Sequence, residues 1–157
     1  MIFKKIIFFV LVCFVLFLSC EKAEDVSPIP KISYYSMSVV PATSIESKHL
    51  EVKIDFIDGD GDISFYEGDT VKNIIYSLYS LENDTFKLVD LVFPYHFKIP
   101  FYQPLGTNKV LQGKIKTKFF LDDLQLYDTI RFSCYIFDRK YNESNLINTP
   151  VILVDTL

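Results

Sequence analysis

An all-β chain, folded as an antiparallel sandwich of about seven strands, follows from three features of the sequence. The first is period-two alternation, cleanest in Leu50-Glu51-Val52-Lys53-Ile54-Asp55-Phe56. Leu, Val, Ile and Phe share one face there and Glu, Lys and Asp the other, the arrangement of a half-buried strand. The second is the regular spacing of turn-forming stretches at 58–62, 82–84, 106–108, 121–128 and 139–145 between apolar runs. The third is that no long segment beyond residue 31 has helical periodicity.

The chain opens on Lys4 and Lys5, continues as unbroken apolar sequence from Ile6 to Leu18, and closes that run with Ser19-Cys20. Charged, apolar and small-residue zones in this order predict a signal-peptide helix. As a helix the apolar run is roughly 20 Å long, short of a ~30 Å hydrocarbon core, which favours a removed leader over a permanent span. The predicted organisation is a leader at 1–19, a flexible tether at 20–31 containing Pro28 and Pro30, and one domain at 32–157. Within the domain, strands are expected at 31–40, 50–56, 74–81, 86–92, 110–119, 130–137 and 150–154, with one helical turn near 122–126.

Twenty acidic side chains outnumber sixteen basic ones, for a net charge of −4, and no basic patch stands out. That balance argues against nucleic acid as a partner. Of three cysteines, Cys13 lies in the leader and Cys20 ends it, so Cys134 has no partner for a disulfide or a cysteine metal site. A small apolar core residue on a strand is the expectation for it. His49 and His96 are the only histidines, and the chain has no HExxH, nucleophile elbow or phosphate-binding glycine loop. The expectation is a protein that is not an enzyme.

The stretch Phe17-Leu18-Ser19-Cys20 resembles the lipobox of bacterial lipoproteins, with Phe17 standing where Leu is usual. The resemblance implies cleavage before Cys20 and a lipid on its thiol. Glu21-Lys22-Ala23-Glu24-Asp25 is similar to the acidic tag that sends many Bacteroidetes-type lipoproteins to the outer face of the outer membrane. Phe56-Ile57-Asp58-Gly59-Asp60-Gly61-Asp62-Ile63 resembles the DGDGDI signature of a group of small Bacteroidetes-type lipoproteins with immunoglobulin-like domains. The runs Asp128–Phe132, Asp138-Arg139, Ser144-Asn145 and Thr149–Ile152 are similar to that group's final hairpin and to the last strands of fibronectin-type modules. The resemblance implies an immunoglobulin-like sandwich tied by lipid to the outer membrane, surface-exposed rather than facing the periplasm. It implies a binding or adhesion module for a glycan or an envelope protein. The alternative is a periplasm-facing scaffold that contacts other envelope proteins.

Two stretches carry candidate site residues. Asp58, Asp60 and Asp62 alternate with Gly59 and Gly61 directly after the cleanest strand. Hard cations such as calcium take six to eight oxygens, which alternating aspartates supply in many loops. The loop departs from an EF-hand because Ile63 replaces the sixth-position glycine, although Asp69 falls at the twelfth position. In an immunoglobulin-like sandwich the final hairpin loop shares this pole, which brings Asp138, Asn142 and Glu143 into the candidate calcium set. The competing and simpler reading is a plain solvated turn with aspartates capping local N–H groups. The second stretch runs from Phe93 to Tyr102, where Tyr95, Phe97, Phe101 and Tyr102 form either a stacking platform for sugar rings or part of the core. Pro94, Pro100 and Pro104 predict an edge strand or an irregular connection there.

Overall fold

The computed structural model describes residues 26–157, so the leader, Cys20 and the start of the tether lie outside the described residues. Nine strand segments follow in order: β1 Lys31–Val40, β2 His49–Asp58, β3 Ile74–Glu82, β4 Thr85–Leu88, β5 His96–Phe97, β6 Leu111–Phe120, β7 Thr129–Ile136, β8 Ile147–Asn148 and β9 Ile152–Leu153. They form an antiparallel β-sandwich. One sheet has the order β1-β2-β6; the other runs β4-β3-β7-β8, with β5 added to β3 and β9 to β7. The chain passes between the two sheets after β2, after β5 and after β6. Among the described residues no helix is long and apolar enough to cross a membrane.

Alternation sets the core in both sheets. From β2 come Leu50, Val52 and Ile54, and from β6 Ile115 and Phe119. The facing sheet contributes Ile74, Tyr76 and Leu78 from β3, and Ile130, Phe132, Cys134 and Ile136 from β7. Phe119 stacks on Phe132 across the sandwich at 4.3 Å between ring centroids, and Tyr76 meets Phe119 edge-on at 5.0 Å. Burial of each such side chain stabilises the fold by about 1.5–3 kcal/mol. Cys134 lies in this core, and burial pushes its thiol up to about 12.

Strand β1 keeps its apolar residues inward through a change of parity. Ile32 and Tyr34 sit opposite Phe56 and Ile54, whereas Met37 and Val39 sit opposite Val52 and Leu50. The register shift between Tyr34 and Ser36 leaves Tyr35 as the extra residue of a β-bulge. The outer face of this sheet is ionic. Glu51 pairs with Lys53 at 3.0 Å and Lys116 at 3.3 Å, Asp55 with Lys114 at 2.6 Å, and Glu46 with Lys118.

Several expected boundaries shift for local reasons. The expected strand at 86–92 stops at Leu88, because the chain leaves the sheet to cross toward β6. The β3–β4 hairpin closes through Asn83 and Asp84, both at positive φ (49° and 61°), as a two-residue type I′ turn requires. The last strand is broken in two. Pro150 has no N–H to give the ladder, and Thr149 covers the gap with its hydroxyl accepting from Phe132 N at 3.0 Å and its own N–H donating to Phe132 O at 2.9 Å. The expected helical turn is a short 3₁₀ segment, Leu121–Asp123.

Two poles result. At one, β2 ends, β7 ends and β1 begins. At the other lie the β1–β2 connection, the Asn83–Asp84 turn and the 121–128 segment. Residues 26–30, which the sequence places in the tether, dock on the first pole. Pro30 is buried, and Gly59 N–H donates to Ser27 O at 3.0 Å. A Cβ on Gly59 would lie 2.2 Å from Val26 O and 2.5 Å from Ser27 O, so only glycine lets this segment cross.

Candidate functional site

The first pole gathers the acidic loop. Asp58 closes β2 and has no exposed surface; its Oδ2 accepts from Ile63 N at 3.1 Å. Gly61, at φ +70°, then turns the chain tightly enough that a Cβ there would strike Lys109 O at 2.4 Å. One carboxylate oxygen from each of Asp58, Asp60 and Asp62 lies within 4.8 Å of the other two. Lys140, from the β7–β8 loop, joins them, paired with Asp60 and with Asp62 at 3.2 Å. Even so, Asp58 Oδ1, Asp60 Oδ1 and Asp62 Oδ1 are buried without a hydrogen-bond partner.

The electrostatics follow from this crowding. Burial, then the charges of Asp60 and Asp62, push the Asp58 carboxyl up to about 6. Burial also raises Asp62, helped by Asp138 and Asp60 and opposed by Lys140. Burial works to raise Asp60 as well, but the Lys140 ammonium outweighs it and holds this carboxyl below its usual range. The same two carboxylates raise Lys140.

The other members of the expected calcium set are placed differently. Asp138 is buried beside Asp62, but its oxygens are engaged. Oδ1 accepts from the N–H groups of Lys140 and Asn142, each at 2.8 Å, and Oδ2 from the Asn142 amide at 2.8 Å. Asp138 and Asn142 thus hold the β7–β8 loop in shape. Glu143 is exposed and pairs its backbone with Phe137. Asp69 closes its own turn by accepting from Tyr66 N at 3.1 Å. Neither Glu143 nor Asp69 joins the three-carboxylate group.

Two asparagines organise this pole: Asn73, which carries no sequence signal, and Asn145 of the Ser144-Asn145 pair. Asn73 is fully buried; its amide donates to Ile63 O at 2.6 Å and Phe137 O at 3.0 Å and accepts from Ile99 N at 3.0 Å. Asn145 clasps Ile32 through two 2.9 Å bonds, tying the β7–β8 loop to β1.

The expected aromatic platform divides. Phe101 and Tyr102 are exposed near the acidic pole, where Phe101 lies 5.9 Å from the Tyr66 ring and the Arg139 guanidinium sits 4.8 Å over that ring. Tyr95 and Phe97 instead pack on the core, their rings 5.1 Å and 5.7 Å from Phe119. Their outer edges line a cleft of about 440 Å³ between the 91–97 segment and the 122–127 turn. His96, Asp122, Asp123 and Tyr127 line it too, and Val92, Phe93 and Leu126, each more than 80% exposed, form its rim. Burial, with the charge of Asp123, pushes the Tyr95 hydroxyl up to about 12, so it stays a donor at neutral pH.

Neither histidine makes a catalytic pair among the described residues. His49 is buried, with Nδ1 2.9 Å from Ser47 O, and His96 forms no hydrogen bond to a carboxylate. Comparison of the chain with protein-family models, with curated proteins and with solved structures finds no match.

Proposed function

We propose that this chain is a lipid-anchored protein of the outer membrane, displayed on the cell surface, whose sandwich holds a carbohydrate-binding cleft away from the membrane. The observation that carries the reading is the polarity of the domain. Residues 26–30 enter at the acidic pole, whereas the cleft lies against the 3₁₀ turn that follows β6 toward the opposite end. With lipid on Cys20, only residues 21–25 separate the anchor from Val26, a reach of about 20 Å at full extension. A ten-residue strand adds about 33 Å beyond that. The acidic pole therefore sits next to the membrane, and the cleft opens on the flank of the sandwich, with its 3₁₀-turn wall at the far end and its β5 wall beside the start of β3.

The cleft's chemistry suits a sugar. The exposed Phe93 ring can pack on sugar C–H groups, and Asp122 and Asp123 accept hydrogen bonds from hydroxyls. Several acyl chains, at about 0.8 kcal/mol per buried methylene, hold such a protein firmly. Three measurements test the reading. Protease shaving of whole cells should release the domain, and mass spectrometry should find residues 1–19 removed and Cys20 acylated. The full chain should be retained on at least one of a panel of immobilised polysaccharides, with Phe93→Ala and Asp122→Asn each weakening retention about tenfold. Failure on every polysaccharide rejects the ligand class, and an intact leader rejects the anchor.

A further inference from the structure

We propose that the Asp58–Asp62 loop is a divalent-cation site, sized for calcium, that fills by displacing the Lys140 ammonium. The geometry meets calcium's requirement. Ligand oxygens around one ion at 2.3–2.6 Å lie no more than about 5 Å apart, and the three carboxylates present oxygens within 4.8 Å of one another. Magnesium demands near-ideal octahedral geometry and dehydrates reluctantly, so a flexible carboxylate loop suits calcium better.

The independent sign of a missing ligand is the set of buried oxygens. Asp58 is wholly buried and Asp62 is 8% exposed, yet each keeps one oxygen with no partner, as does Asp60. Native proteins rarely leave buried polar atoms unpaired, and buried charge least of all. One ammonium against three carboxylates leaves the loop electrically unsatisfied. The Lys140 side chain is 62% exposed and can leave for water without unpacking anything. Backbone carbonyls and water complete the shell, as is usual for this ion.

Occupancy has a structural consequence. Gly59 lies between two of the ligands and donates to Ser27 O, so a filled site stiffens the loop beneath the segment that enters from the N-terminal side. This site stands apart from the cleft and whatever the cleft binds.

The test is calorimetric titration of the full chain, stripped with chelator and held in detergent, with calcium chloride alone, alongside thermal unfolding. One calcium per chain is expected, with a higher Tm and a smaller response to magnesium chloride. Lys140→Gln should tighten calcium binding by up to about fivefold, the loss of one exposed competing ion pair. Asp58→Asn, which keeps an acceptor for Ile63 N, should abolish the heat while leaving the strand circular dichroism intact. Absence of heat and of any Tm change at about 10 mM calcium, above the 10⁻⁴–10⁻³ M range of extracellular calcium modules, in both wild type and Lys140→Gln, would overturn the proposal. Undiminished binding by Asp58→Asn would overturn it equally.

Discussion

Replacing Asp58 by Asn should stabilise the calcium-free protein at neutral pH, against the usual direction for a buried polar substitution. The carboxyl is raised from its ordinary 3.8 to about 6, first by burial and then by Asp60 and Asp62. That displacement corresponds to about 3 kcal/mol, each tenfold change in the proton equilibrium being worth about 1.36 kcal/mol. Because Lys140 and water reach one side of the loop, about 1–2 kcal/mol is the expected share. The sign follows from linkage. The folded form holds the proton more tightly than the unfolded form, so the penalty is absent below about pH 4, grows as pH rises from 4 to 6, and is complete above 6. Asn keeps an oxygen for Ile63 N and turns an N–H₂ group toward the neighbouring carboxylates. Urea unfolding at pH 4, 5, 6 and 7 in chelator should show the two proteins converging at pH 4 and the variant ahead at pH 7. A variant less stable at pH 7, or a difference that does not change with pH, refutes the reasoning. With calcium present the order should reverse.

Three further outcomes are expected. Gly59→Ala should lose at least about 2 kcal/mol in urea unfolding, because backbone oxygens of Val26 and Ser27 occupy the space of its Cβ, while Gly68→Ala, with nothing within 4 Å, stays within about 0.5 kcal/mol. Asn73→Asp should lose about 3 kcal/mol or more, since it sets a buried charge against the carbonyls of Ile63 and Phe137; thermal unfolding at pH 7 measures it. Phe119→Ala should lose about 3–5 kcal/mol by opening a cavity beneath Phe132, Tyr76 and Tyr95, measurable by the same denaturation.

The strands that alternate on one buried face were legible in the sequence because burial on one side writes period two directly into the chain. β1 and β3 fall where the pattern placed them, and β2 and β7 differ by a residue or two. The 89–110 crossing was harder, since aromatic residues and prolines fit a platform, an edge or a core lid alike. Contact with Phe119, rather than residue type, decides that Tyr95 and Phe97 turn inward while Phe101 and Tyr102 do not. In the acidic loop, the aspartate–glycine spacing revealed the three carboxylates. Lys140 arrives from 80 positions away and Asn73 works through backbone atoms, so neither left a local trace. The docking of Val26 and Ser27 was hidden because two prolines read as a spacer whether or not the chain is held.

Among the described residues strand β6 ends its sheet with an unpartnered backbone edge, and Lys114, Lys116 and Lys118 stand out at every second position along it. Two such borders meeting side by side would extend the sheet of one copy into the next. Each of these lysines is paired with a carboxylate of its own chain, Asp55, Glu51 or Glu46, so another strand meets a hydrated, charged rim that it must desolvate before its ladder can form. A charged border of this kind disfavours the addition of a further strand to the sheet.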